Sequence, residues 1–162
     1  MKRNPKIVGR SALVKIVQRL RKDGKTIAFT NGCFDILHYG HVSYLQQAKK
    51  GNRVLIIGLN SDASTRRLKG PGRPINPEKT RGEVLGALAC VDYVTVFGED
   101  TPHKLIRALQ PDVLIKGADW KGKEVIGSDV VLARGGRVEF VRYEDHFSTT
   151  GTIRKIMRQR GR

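Results

Sequence analysis

Two histidines about one helical turn apart are the residues of this sequence best suited to chemistry. His38 and His41 flank Gly40, and they follow an apolar run that ends at Asn31 and Gly32. At positions i and i+3, both imidazoles lie on one side of a helix N-terminus, where backbone N–H groups and the helix dipole favour an anion. Gly32 and Gly40 have no side chain, so a phosphate can approach the backbone at both positions. The pattern predicts a phosphate-binding turn, with capping or packing histidines as the alternative.

Metal ligation is a weaker interpretation of this turn. A zinc site needs a third ligand, but His103 and His146 lie far along the chain and Cys33 lies inside the turn itself. Neither G-x-x-x-x-G-K-[ST] nor G-x-G-x-x-G follows a predicted strand. We therefore expect no metal site made by the protein, and a phosphate site unlike those of P-loop and common dinucleotide-binding proteins.

The elements around the turn alternate between strands and helices. Short β-branched runs predict strands at 26–30, 53–59, 93–97, 113–116 and 137–141. Apolar periodicity predicts helices at 11–20, 41–50, 62–68, 77–89, 102–109, 128–133 and 149–160. Asn76 and Thr101 each precede a proline and are expected to cap the helices that follow them.

This alternation predicts an α/β fold with a doubly wound, Rossmann-like parallel sheet of five strands. A chain of 162 residues has room for a single domain. We expect residues 1–24 to form an N-terminal helical extension packed on the domain, which then occupies residues 25–162. Ligands of such sheets bind beyond the carboxyl ends of the strands, where the strand order reverses.

Charge and composition limit the classes of partner and the cell compartment that we expect for this protein. The formal net charge of +16 predicts polyanionic partners: nucleic acid, an anionic membrane surface or small phosphorylated ligands. No apolar run is long enough to cross a bilayer, and no apolar segment of a signal peptide follows the basic N-terminus. The two cysteines lack CxxC spacing, as is typical of the reducing cytoplasm. We expect a cytoplasmic protein that binds no membrane.

The motifs resemble those of a known superfamily. His38-Tyr39-Gly40-His41, preceded by Gly32-Cys33-Phe34-Asp35, resembles the HxGH signature of the nucleotidyltransferases, which include glycerol-phosphate cytidylyltransferase and pantetheine-phosphate adenylyltransferase. Residues 147–153 are similar to the ISSTxxR-type motif that opens the last helix of these enzymes. Stretches at 60–62, 67–76 and 116–120 resemble the adenylyltransferases that act on D-glycero-β-D-manno-heptose 1-phosphate. The resemblance covers about residues 25–156.

The resemblance implies attack of a sugar 1-phosphate oxygen on the α-phosphorus of ATP. The products would be pyrophosphate and ADP-heptose, which serves the inner core of lipopolysaccharide. ATP would carry Mg²⁺ with it, and the enzyme would be a homodimer that uses the apolar region 85–93. It also implies a stand-alone form of a domain that many bacteria fuse to a sugar kinase, with the kinase as a separate protein.

The same resemblance assigns roles to individual residues. The catalytic residues would be His38, His41 and Lys69. The nucleotide would be bound by Gly32, Cys33, Phe34, Gly40, Arg73, Gly117, Asp119, Trp120, Ser148, Thr149 and Thr150. The sugar phosphate would be bound by Asp35 and Asp62. Several of these roles have a structural alternative: Lys69 and Arg73 as solvated charges, one of Ser148, Thr149 and Thr150 as a helix cap, and Trp120 as a packing residue. Ala118 stands where many family members have a second glycine.

Two other functions compete with this one. A cytidylyltransferase acting on glycerol phosphate or another phosphorylated alcohol would use the same histidines, because HxGH chemistry is common to ATP and CTP. A basic nucleic-acid-binding module would also explain the charge. However, aromatic residues make up only 6% of the chain, and no RNP-like, zinc-finger or helix-turn-helix pattern is present. We therefore expect ATP and a sugar 1-phosphate as partners, and no specific nucleic acid.

Overall fold

The computed structural model describes residues 4–142 and 147–160. Its strands are β1 (Thr26–Gly32), β2 (Arg53–Asn60), β3 (Tyr93–Phe97), β4 (Val113–Gly117) and β5 (Arg137–Val141). Its helices are α1 (Arg10–Lys22), α2 (Tyr39–Ala48), α3 (Asp62–Lys69), α4 (Glu78–Gly86), α5 (His103–Leu109), α6 (Ser128–Leu132) and α7 (Thr149–Arg160). One turn of 3-10 helix covers Ala118–Trp120.

The five strands form one parallel sheet in the order β3-β2-β1-β4-β5. Chain order runs outward from β1 in one direction and from β4 in the other, so the strand order reverses between these two central strands. The prediction of a doubly wound, Rossmann-like sheet of five strands is confirmed. A crevice beyond the carboxyl ends of β1 and β4 is the position where such sheets bind ligands.

Helices cover both faces of the sheet and bury two apolar clusters. Tyr44 and Leu45 of α2 pack on one face of the sheet, together with Leu85 of α4. On the other face, α1 packs with α5, α6 and the side chains of Ile27 and Phe29. All eight residues of β2 are buried, which explains why this strand is a nearly continuous apolar run.

The segment before β1 is part of this core. Leu13 and Val17 on α1 are 0% and 1% exposed, and both belong to the cluster that includes Phe29. Ahead of the helix, the N–H of Val8 donates to the carbonyl oxygen of Val94 at 2.9 Å, which joins the segment to β3. None of the helices in the described ranges is both long and apolar enough to cross a membrane.

Element boundaries differ from the predicted ones at informative places. β1 and β2 extend past their apolar runs and include the polar residues Asn31 and Asn60. The helices predicted from Pro77 and Pro102 begin one residue later, and neither has a side-chain cap. Asn76 precedes the N-cap residue of α4, which is Pro77, and its amide Nδ2 donates to the carbonyl oxygen of Asp35 at 2.9 Å.

The apolar region 85–93 is used largely within its own chain. Leu85 and Val91 are buried in the core, and Leu88 and Cys90 pack against it. Exposed apolar surface in and beside this region comes from Val84, which is 43% exposed, and from the small side chains of two alanines. Core packing therefore accounts for most of the region's hydrophobicity.

Replacing Leu13 with alanine should test the contribution of α1 to the fold. We expect Leu13→Ala to lower the free energy of unfolding by about 2–4 kcal/mol, because it removes buried methyl groups and leaves a cavity. Gln18→Ala, on the exposed side of the same helix, should change it by less than about 0.5 kcal/mol. Urea unfolding followed by circular dichroism measures both, and equal stability of the two variants would contradict a core role for α1.

Candidate active site

A cleft of about 1030 Å³ opens at the carboxyl ends of the strands. Its walls come from the β1–α2 turn, the residues after β4 and the start of α7, together with the loop that follows α3. The predicted site residues that line it are Gly32, Cys33, Phe34, Asp35, His38, His41, Lys69, Arg73, Gly117, Asp119, Trp120, Ser148, Thr149 and Thr150. Gly40 and Asp62 are not among the residues that line the cleft.

The two histidines stack at the start of α2. His38 is the N-cap residue with an extended backbone, and its ring centroid lies 3.9 Å from that of His41 at an interplanar angle of 25°. Gly40 lies between them and is buried in the first turn of the helix. The ring of Phe34 lies 5.2 Å from that of His41. The structure therefore places both imidazoles on one side of the helix N-terminus.

Both imidazoles are neutral at physiological pH. Burial lowers the pKa of His41 to about 4, with a further lowering contribution from His38. Burial also lowers the pKa of His38. A neutral imidazole carries one N–H donor and one acceptor nitrogen. The pair can therefore donate hydrogen bonds to phosphate oxygens, whereas the positive charge of the site must come from lysine and arginine.

Hydrogen bonds from Tyr44 fix α2 against the sheet. The Tyr44 hydroxyl donates to the carbonyl oxygen of Ile115 in β4 at 3.1 Å. It also lies 2.7 Å from the Thr30 hydroxyl in β1. These bonds hold the helix that carries the histidines over the two central strands, where the strand order reverses.

Arg81 joins three segments beneath the histidine turn. The residue is 2% exposed, and its guanidinium donates to the carbonyl oxygens of Cys33 and Asn76 and to a carboxylate oxygen of Asp62. The last of these bonds is 2.6 Å long. Asp62 also accepts the backbone N–H of Glu78 at 2.7 Å. Asp62 therefore links α3 to α4 from outside the cleft, which differs from the substrate-binding role predicted for it.

Asp35 holds the loop that follows α3. One carboxylate oxygen accepts the N–H groups of Ile75 and Asn76 at 2.8 and 2.9 Å, and the other accepts Nε of Arg73 at 2.5 Å. Burial alone would raise the pKa of Asp35, but these hydrogen bonds and the arginine charge hold it below its usual value. The carboxylate thus positions Arg73 at the cleft, while sugar binding by Asp35 stays a prediction.

Lysine, glycine and tryptophan form the wall after β4. Lys116 is 8% exposed, and its ammonium donates to Oδ1 of Asn31 at 2.7 Å and lies 5.2 Å from the centroid of the Trp120 ring. Burial lowers the pKa of Lys116 to about 8, against a smaller raising effect of Asp119. A Cβ at Gly117 would lie 2.4 Å from Oδ1 of Asp119, so a larger residue here would displace the Asp119 carboxylate.

The start of α7 completes the cleft beside the histidine turn. Oγ of Ser148 accepts the N–H of Gly151 at 3.0 Å, which is the helix-capping role given as its structural alternative. Thr149 donates to the carbonyl oxygen of Ile36 at 3.3 Å and so ties α7 to the histidine turn. The ring of Phe147 lies 6.4 Å from that of His38. Hydroxyls and a helix N-terminus therefore face the imidazoles.

The sequence was compared with protein families and with characterised proteins. Residues 29–152 match the family model described as Cytidylyltransferase-like. The chain belongs to the cytidylyltransferase-like family. It is 54% identical over 155 residues to the bifunctional protein HldE of Helicobacter pylori and 53% identical over 156 residues to that of Geobacter metallireducens. These matches cover 96% of this chain and 32% of each relative, so the chain spans about a third of their length.

A solved structure shows the same architecture. The crystal structure of the lipopolysaccharide core biosynthesis protein from Thermoplasma volcanium superposes with a TM-score of 0.59 at 29% sequence identity. The match covers 74% of this chain and 96% of that one. This structure supports the fold, and the family match confirms the prediction that the chain is a nucleotidyltransferase.

Sequence reasoning missed some residues that line the cytidylyltransferase-like site. Asn31 and Lys116 form its floor, while Asp100 and Arg142 follow β3 and β5, respectively. One signal could have found Lys116: a lysine near the end of an otherwise apolar strand.

Within residues 4–142 and 147–160, no group of three or more His, Cys, Asp and Glu side chains could hold a metal ion.

The lowered pKa of His41 predicts a stability change with pH. Between about pH 6.5 and pH 4, the unfolded chain binds a proton at His41 that the folded chain does not. This stabilising contribution is therefore complete above pH 6.5 and is lost as the pH falls towards 4. From pH 7 to pH 5 we expect the wild type to lose about 1–2 kcal/mol more unfolding free energy than His41→Asn.

Urea unfolding at the two pH values measures this difference. Gln18→Ala, which replaces an exposed residue of α1 that does not titrate, serves as the control and should keep the pH dependence of the wild type. An equal loss of stability in His41→Asn and in the wild type would contradict a neutral, buried His41.

Proposed function

We propose that this protein transfers the adenylyl group of ATP to D-glycero-β-D-manno-heptose 1-phosphate, giving ADP-heptose and pyrophosphate. The observation that carries the proposal is the stacked pair His38 and His41 at a helix N-terminus, inside a cleft that basic side chains and hydroxyls line. Relatives named HldE, about half identical over nearly the whole chain, support the choice of acceptor. So does the lipopolysaccharide core protein that shares the fold.

The chemistry needs no nucleophile from the protein. An oxygen of the sugar 1-phosphate attacks the α-phosphorus of ATP, a new P–O bond forms, and the bond to the β-phosphate breaks to release pyrophosphate. Charge accumulates on the equatorial and leaving oxygens during this transfer. Neutral His38 and His41 would donate N–H groups to these oxygens, and their hydrogen bonds would strengthen in the transition state.

Cations at the cleft would bind the triphosphate. Asp35 holds Nε of Arg73, which leaves the two terminal nitrogens of the guanidinium for phosphate oxygens. Lys69 is the last residue of α3, at the start of the same loop. Its side chain is exposed, so it can move onto a polyphosphate. Mg²⁺ would enter with ATP as part of the substrate, with oxygen ligands supplied mainly by phosphates and water.

The wall after β4 would contact the nucleoside. Trp120 is 37% exposed and offers a ring face, while Asp119 offers carboxylate oxygens to the ribose or base. Neither group distinguishes adenine from cytosine on chemical grounds. A cytidylyltransferase acting on another phosphorylated alcohol is therefore the alternative that the first experiment separates.

Pyrophosphate release tests the proposal directly. We expect release with ATP, Mg²⁺ and the heptose 1-phosphate, and none when CTP replaces ATP. His41→Ala should keep the fold and lower turnover by about 10²–10³, the usual cost of removing one such donor. His103→Ala changes a histidine outside the cleft and should keep full activity.

Three results would count against this proposal. Release with CTP alone would reassign the nucleotide but keep the histidine roles. Absence of release with both nucleotides, from folded wild-type protein, would overturn the acceptor. Near-normal turnover of folded His41→Ala would remove the transition-state role of the histidine pair.

We also infer that the enzyme acts as a homodimer in the cytoplasm. The region at the end of α4, which resembles a dimer contact of the family, exposes Val84 and Ala87 one helical turn apart. Light scattering on the purified protein should give the mass of two chains, and Val84→Lys should shift it towards one. A wild-type mass of one chain at micromolar concentration would contradict the homodimer.

A further inference from the structure

Lys116 is the one buried lysine in the part of the chain that the structure describes. The buried arginines in the same ranges, Arg53 and Arg81, each form an ion pair with a carboxylate. No carboxylate of the described residues forms an ion pair with Lys116, although the more distant charge of Asp119 raises its pKa slightly, and its hydrogen-bond partner is the neutral amide of Asn31. Burying a cation without a counter-charge is costly. The fold therefore keeps at the cleft floor a charge that an anionic ligand would compensate.

The sheet places this cation on the wall of the cleft opposite the histidines. Ala28 pairs with Val113 and Phe29 with Leu114, and the same register sets Asn31 beside Lys116. Because side chains alternate along a strand, Lys116 shares the sheet face of Leu114, which α1 and α5 cover. α2 and its histidines cover the other face.

In an in-line transfer, the two walls of the cleft would contact different phosphates. The attacking and leaving oxygens lie on opposite sides of the α-phosphorus. If the histidines and the start of α7 hold the nucleotide phosphates, the attacking phosphate approaches from the opposite wall. Among the described lysines and arginines that line the cleft, Lys116 is the one that is buried, whereas Lys69 is exposed at the end of α3.

We propose that the ammonium of Lys116, oriented by Asn31, binds the phosphate of the acceptor and positions its oxygen for attack. This inference rests on the proposed function, and it names the residue that selects a phosphorylated acceptor. Asn31 accepts one of the three ammonium protons, which leaves two for phosphate oxygens. The lowered pKa of Lys116 is consistent with this role, because a bound dianion would restore full protonation.

Initial rates over a matrix of ATP and heptose 1-phosphate concentrations test the assignment. We expect Lys116→Met, which keeps the side-chain length but removes the charge, to raise KM for the acceptor by about 10–100-fold. KM for ATP should stay within about twofold of the wild-type value, because the nucleoside would contact the Trp120 ring and the Asp119 carboxylate, not the ammonium of Lys116. Lys121→Met removes the same charge from an exposed residue nearby that does not line the cleft, and its rates should match the wild type.

Thermal unfolding of the same variants separates binding from structure. Replacing a buried charge that forms no ion pair with a described residue by an apolar side chain is often neutral or stabilising, so Lys116→Met should melt no lower than the wild type. Lys116→Arg, which retains the charge, supplies a second comparison and should have an acceptor KM closer to wild type than that of Lys116→Met.

The outcomes distinguish this inference from the function on which it rests. Wild-type turnover with an unchanged acceptor KM in Lys116→Met would overturn the role of Lys116 alone. A rise in KM for ATP instead would move Lys116 to the nucleotide side. If Lys116→Met does not fold, the acceptor KM of Lys116→Arg decides the outcome. A value as high as that expected for the methionine variant would indicate that Lys116 has a structural role. No wild-type turnover with the heptose 1-phosphate would overturn both proposals.

Discussion

The buried guanidinium of Arg81 is the interaction on which the geometry of the site depends. It binds the histidine turn through Cys33, the loop after α3 through Asn76, and α3 itself through Asp62. A buried arginine is tolerated only when its donors are satisfied, so all three segments must keep their positions together. Asp35 extends this network to Arg73 at the cleft. These buried polar side chains therefore fix the loops around the cleft, while the side chains that line the cleft can contact a ligand.

The site divides two electrostatic tasks between different residue types. The half-buried imidazoles of His38 and His41 are neutral and can supply directed hydrogen bonds. Arginine and lysine supply the charge, which suits a transfer whose transition state is stabilised by position and charge together. Neutral histidines also reduce the repulsion that several cations around one small cleft would create, which matters for a chain with a net charge of +16.

The sequence predicted the fold because its signals are local, whereas the polar network depends on distant contacts. The apolar run of β2 and the spacing of His38 and His41 can each be interpreted within about ten residues. Asp62 was predicted to bind substrate because a carboxylate just after a strand looks the same whether it faces a ligand or an arginine. Its partner Arg81 lies 19 residues away. Asp35 and Lys116 have partners 41 and 85 residues away, beyond any local pattern.

Lys116 shows how a parallel sheet brings together two residues that are far apart in the sequence. Asn31 and Lys116 meet because β1 and β4 are neighbours in a register that sets residue 28 beside residue 113. Once strand order is known, the polar residues that end central strands become neighbours at the point where ligands bind. Lys116 is the polar residue near the end of the apolar strand β4. At the carboxyl end it borders the cleft, where a phosphate can supply the missing charge.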